Sequence, residues 1–125
     1  MRFLERFADW EDTVEFPAQS VIFSEQAPAD VMYVVSSGEV ELTLHGRPLD
    51  AEEAGGVIGE MAMLDSAMRS STAVARTAVR LARMDREQLK KMAADDAEFS
   101  FHVMSVLANR LRSVDAFIST QIPVD

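Results

Sequence analysis

The sequence predicts a mainly β fold, a barrel or sandwich of short strands, followed by helices. Three patterns carry that prediction. Apolar residues alternate with polar ones in the first two-thirds, turn residues recur at short intervals between them, and the last third changes to a spacing of three and four.

The elements follow in order. Phe3, Leu4, Phe7 and Trp10 share one helical face, predicting a short amphipathic helix at the N-terminus. A first strand over Thr13 to Phe16 ends at Pro17. Between Val31 and Leu44 the period becomes two: Val40, Leu42 and Leu44 alternate with Glu39, Glu41 and Thr43, and Ser37 and Gly38 supply the preceding turn. His45 to Pro48 reads as a hairpin in which Gly46 takes positive φ and Pro48 limits pairing beyond it. Ala51 to Gly56 reads as loop, and strands resume at Ala73 to Arg76 and Val79 to Met84.

Asp85 is the expected N-cap of a helix containing Gln88, Leu89 and Met92, and Asp95 or Asp96 that of a longer one ended by Pro123. In the long helix Met104, Leu107, Leu111, Val114 and Ile118 form an apolar stripe. It is either a face packed on the barrel or a seam for a second copy, with Asn109, Arg110 and Arg112 beside it. Val103, Val106 and Phe117 give a second face that also needs burial, which favours a helix shared between two chains.

Composition narrows the function. The 125 residues fit one domain over 1–125, and 21 acidic against 12 basic residues give a net charge of −9, which repels nucleic acid and anionic membranes. Cysteine is absent, which excludes thiolate catalysis, disulfides and cysteine-held metal. No apolar run reaches the roughly 20 residues of a membrane span, so a cytoplasmic protein is expected. His45 and His102 are too few and wrongly spaced for a metal site of the several-histidine kind, so neither a metal nor an enzyme is expected.

The chemistry concentrates in Gly59 to Ala75, GEMAMLDSAMRSSTAVA. Gly59 allows close backbone approach. Glu60, an acceptor only when ionised, suits a sugar hydroxyl and would repel a phosphate. Met61 to Leu64 can form a helical turn whose amides face an anion, with Ala62 keeping the approach open. Arg69 offers a planar fork of donors to phosphate oxygens, and Ser70, Ser71 and Thr72 add donors beside it. The plainer alternative makes Arg69 a surface residue paired with Asp65 or Glu60.

This segment resembles the phosphate-binding cassette of cyclic-nucleotide-binding domains, as in catabolite-activator-type regulators and protein kinase A regulatory subunits. The family pattern Gly-Glu-x-Ala, a variable loop, Arg-x-Ala-Thr and a later Ala falls on Gly59, Glu60, Ala62, Arg69, Thr72 and Ala75, with Ser71 in place of an alanine and Met68 in place of a proline. Upstream, Ile22, Glu25, Asp30, Met32, Tyr33, Val35, Gly38 and Glu39 stand in the family's order, while Gln19 and Gln26 replace customary glycines and are expected at strained φ.

The resemblance implies a double-stranded β-helix, a jelly-roll-like β-roll over about 12–84 with helices over about 86–120. It implies a cAMP or cGMP ligand, with Glu60 on the ribose 2′-hydroxyl, Arg69 and Ser70 on the cyclic phosphate, and the Ala62 amide assisting. The family reads the purine from its long helix; Val114 stands at that position here, which leaves Ser113 or Asp115 as substitutes. The expected protein is a regulatory sensor without an output domain of its own, homodimeric through the long helix. The alternatives are a ligand-free roll serving as a dimerisation or docking scaffold, and the effector domain of a truncated transcription regulator.

Overall fold

The computed structural model describes residues 2–64 and 68–121. Its elements are α1 (Arg2–Glu5), β1 (Thr13–Phe16), β2 (Val21–Phe23), β3 (Val31–Ser37), β4 (Val40–Leu44), β5 (Arg47–Glu52), β6 (Val57–Ile58), α2 (Met61–Leu64), β7 (Thr72–Ala75), β8 (Val79–Asp85), α3 (Arg86–Asp95) and α4 (Ala97–Gln121). The strands form two antiparallel four-stranded sheets, ordered β1-β8-β3-β6 and β2-β7-β4-β5. This is the β-roll with flanking helices that the sequence predicts.

The core has two layers, and β3 and β8 belong to both. Val31, Tyr33 and Val35 of β3 and Leu81 of β8 point between the sheets, where they meet Val40, Leu42, Ile58, Ala73 and Ala75. Their neighbours Met32, Val34, Ala82 and Met84 point outward and are covered by Phe3, Phe7, Leu89, Phe99, Val103 and Val106. A strand buried on both faces reads as an unbroken apolar run, so Val31 to Val35 departs from the period of two expected between Val31 and Leu44. On β4, Val40 and Leu42 are fully buried as the alternation predicts.

Local chemistry fixes the joints. His45 and Gly46, with φ of 53° and 78°, join β4 to β5 in a two-residue turn with both central residues at positive φ, the type I′ pattern. Asp85 caps α3 in a capping box with Gln88. Asp96 accepts the Phe99 N–H at 3.0 Å, so it, not Asp95, caps α4. Trp10 donates its indole N–H to the Arg83 carbonyl at 2.7 Å and seats the N-terminal segment on the roll.

Three expectations need correction. Ala51 and Glu52 belong to β5 and not to a loop, and Pro48 does not end pairing: it lies opposite Thr43 beside a register shift. A proline fits there because β5 is an edge strand with no further neighbour needing its N–H. The apolar stripe of α4 is not its core face. Phe99, Val103 and Val106 pack on the roll, whereas Met104, Leu111 and Ile118 are exposed and Leu107 and Val114 lie between the two faces. Pro123 lies outside the described residues.

Candidate functional site

The cassette is built between the two sheets. Gly59 follows β6 at φ +75°, a left-handed conformation that glycine adopts without strain. A Cβ on it would stand 2.4 Å from Arg69 Nη1, so only glycine lets the arginine lie across this turn. Glu60 leads into α2, the single turn predicted over Met61 to Leu64, where the Met63 N–H donates to the Glu60 carbonyl at 3.0 Å.

Arg69 is positioned by its own backbone as well. Its N–H donates to the Ala27 carbonyl at 2.9 Å and its carbonyl accepts the Gln26 N–H at 2.7 Å. Gln26 holds φ 67° to make that clamp, and Gln19 holds 72°, so both glutamines sit at the strained φ expected of glycine replacements. Thr72 adds a tie: its hydroxyl accepts the Glu25 N–H at 3.0 Å, and Glu25 in turn accepts the His45 N–H at 3.1 Å.

The two central side chains are both buried, Glu60 with 1% of its surface exposed and Arg69 with 5%. This excludes the surface reading of Arg69; Asp65 lies outside the described residues. Arg69 donates from Nη1 to the Gly59 carbonyl at a long 3.3 Å, and its guanidinium lies over the Phe23 ring. Each residue keeps one unmet group: Arg69 Nε and Glu60 Oε2 are buried without a hydrogen-bond partner among the described residues. Burial pulls the Arg69 guanidinium below its ordinary range, with Tyr33, Asp30 and Glu60 opposing. Burial likewise pushes the Glu60 carboxyl up, opposed first by Arg110.

Arg110 is the residue that sequence reasoning missed, having placed it beside a seam for a second copy of the helix. It is buried and donates to Glu60 Oε1 at 3.0 Å, Asp50 Oδ2 at 2.9 Å, Glu52 Oε2 at 2.6 Å and the Val57 carbonyl at 3.0 Å. Burial lowers its pKa, but Glu60, Glu52 and Asp50 outweigh that and hold it raised. One guanidinium thus links α4, β5 and the cassette acid. A signal was present: Phe99, Val103, Val106 and Arg110 follow a spacing of four, three and four, and Asp50 and Glu52 alternate on one strand face.

The remaining predicted residues divide. Gly59, Glu60 and Arg69 come together and Ser71 is buried, while Ser70 and Met61 are exposed and Ala62 lies in α2. Ser113 donates back to the Asn109 carbonyl at 3.1 Å and is half-buried, one turn beyond Arg110. Asp115 is exposed, about 140° around the helix from Arg110. His102 accepts a different role, stacking on Phe3 and bonding the Gly55 carbonyl at 2.7 Å. His45 is exposed near Glu25, and among the described residues no acid or histidine cluster could hold a metal.

Fold and site together define a ligand-binding β-roll closed by a C-terminal helix, with a buried acid and a buried guanidinium either side of a glycine turn. Residues 13–96 match the cyclic nucleotide-binding domain, and the chain belongs to that family. It is 35% identical over 89 residues to a cAMP-dependent protein kinase regulatory subunit of Emericella nidulans, covering 70% of this chain and 22% of that protein. It is 33% identical over 119 residues to a CRP-like cAMP-activated global transcriptional regulator of Mycobacterium tuberculosis, covering 90% of this chain and 52% of the regulator. The Thermus thermophilus catabolite activator protein superposes with a TM-score of 0.74 at 27% identity, over 95% of this chain and 58% of that one. The chain therefore spans about a fifth of the length of the kinase subunit and about half that of the transcriptional regulator.

Proposed function

We propose that this chain is a regulatory sensor that captures a cyclic mononucleotide, cAMP or cGMP, and catalyses no reaction. Glu60 accepts the ribose 2′-hydroxyl at its free Oε2, and Arg69 donates to the cyclic phosphate, with Ser70 and Ser71 beside it. The observation that carries this reading is the pair of unmet polar atoms, Glu60 Oε2 and Arg69 Nε, buried either side of Gly59. A buried donor and a buried acceptor without partners cost stability until a ligand satisfies both. Membership of the cyclic nucleotide-binding family and the cAMP-responsive names of two relatives support the same ligand class.

Capture and output meet at Glu60. Its Oε1 belongs to Arg110 and its Oε2 is open, so a ribose hydroxyl shares the carboxylate with α4. Strengthening or weakening that shared bond changes how α4 docks, since a ligand shifts only an equilibrium whose states it binds differently. Ser113, half-buried beyond Arg110, is the nearer of the two predicted base contacts, and Asp115 reaches the base only if α4 turns.

Thermal unfolding with cAMP and then cGMP tests the reading. Ligand at about 100 times its dissociation constant stabilises a one-site binder by about 2.7 kcal/mol. Arg69→Ala removes most of that shift. A wild-type protein that neither nucleotide stabilises would favour the ligand-free scaffold.

A second reading concerns assembly, and the exposed face of α4 favours it. Phe101, Met104, Leu111 and Ile118 are large, apolar and exposed, and their positions, with Ala108 and Asp115 between them, step by three and four. That is the spacing of a coiled-coil seam, and a second copy of the same helix matches it. The roll and helices then act as one unit over 1–125, paired through α4, in a soluble cytoplasmic setting without nucleic acid or membrane. Sedimentation equilibrium of the wild type and of Leu111→Glu tests this: a dimer that the charge converts to monomer is expected, and a monomeric wild type refutes it.

A further inference from the structure

The Arg69 guanidinium lies over an aromatic ring. Its Cζ lies 4.3 Å from the centroid of the Phe23 ring and 5.6 Å from that of Tyr33. The two rings stack with centroids 6.1 Å apart and planes 15° from parallel, one contributed by each sheet. The five N–H donors of arginine all lie in the guanidinium plane. An aromatic face therefore holds the charge without using a donor, whereas a carboxylate would take the donors and compete with an anionic ligand. Arg69 fits that description, since Nε has no acceptor among the described residues and Nη1 makes only a long bond to a backbone carbonyl.

We propose that Phe23, backed by Tyr33, is a positioning residue for anion capture: its ring face fixes the buried guanidinium of Arg69 and leaves the N–H edge for the cyclic phosphate. The proposal rests on the nucleotide reading above and names a device within that site. It explains how a buried cation keeps a donor unpaired while Asp30 and Glu60 act on it only through space. It also explains why the glycine at 59 matters, because a side chain there would push the guanidinium off the ring.

The experiment compares wild type, Phe23→Leu and Phe23→Trp by calorimetric titration with cAMP, together with the Arg69 Nε–Hε resonance of each ligand-free protein. Leucine keeps the apolar volume and loses the π face, so its affinity falls by about threefold to thirtyfold. Tryptophan restores the face and recovers the affinity, which a purely space-filling role would not produce. The Hε resonance is shifted upfield by the ring current in wild type and returns toward the free value in Phe23→Leu. Wild-type affinity in Phe23→Leu, or no recovery in Phe23→Trp, overturns the proposal. If wild type binds neither cAMP nor cGMP, the nucleotide reading fails by itself. The resonance then decides the positioning claim, and an Hε signal unmoved by Phe23→Leu overturns that too.

Discussion

Two buried arginines act on Glu60, Arg110 by a direct bond and Arg69 through space, and their surroundings are opposite. Arg110 meets three carboxylates and a carbonyl, and four of its five N–H donors are engaged. Arg69 meets two ring faces and a distant carbonyl, and keeps a donor unmet. The contrast teaches that capacity for an anionic ligand depends on donors left unpaired, and not on the presence of charge. In a chain of net charge −9, aromatic faces are a way to hold such a cation while leaving a donor unpaired.

Breaking the acid-bound member has the largest expected effect. Arg110→Ala leaves Asp50, Glu52 and the buried Glu60 facing one another without a counter-charge, and unpairing a buried ion costs about 3–5 kcal/mol. Urea unfolding measures it, and a loss below about 1 kcal/mol would mean the acids escape to solvent. The open member is sharpened through its neighbour. Gly59→Ala puts a Cβ against Arg69 Nη1 and a side chain at φ +75°, which costs about 1–2 kcal/mol in folding. It also moves the guanidinium off its ring, so nucleotide affinity falls by more than the stability loss accounts for.

A third arginine supplies the solvated control. Arg6 pairs with Asp96 at the start of α4, where the Arg6 hydrogen bond, then the Phe99 N–H, hold the Asp96 carboxyl at about 2. A depressed acid contributes stability above its ordinary value of 3.8 and loses it as pH falls through about 2. Acid titration followed by the single tryptophan, Trp10, which packs beside this segment, is expected to show a small transition in that window. Asp96→Asn removes the transition while leaving neutral-pH binding unchanged.

Arg69 was legible in the sequence and Arg110 was not, for a physical reason. Gly59, Glu60 and Arg69 lie within eleven residues, so local spacing and chemistry identify them together. Arg110 is 50 residues from Glu60, and its partners are set by how α4 lies across β5, a tertiary fact. The same limit left the stripe of α4 undecided. Periodicity finds two apolar faces on a helix but does not say which one the roll takes, and Phe99, Val103 and Val106 took it. Pro48 was misjudged because its cost depends on strand order, and β5 is at the edge. By contrast, the capping box of α3, the turn at Gly46 and the positive φ of Gln19 and Gln26 are local, and local reasoning reached them.

The central claim is that Arg69 is an open, prepositioned receptor for a cyclic phosphate. Calorimetric titration of cAMP into wild type and Arg69→Ala tests it most directly. Saturable one-site binding, weakened by about tenfold or more in the mutant, is the predicted result, because a charged hydrogen-bond partner contributes about 1.5–3 kcal/mol. Equal affinity in the two proteins would contradict it.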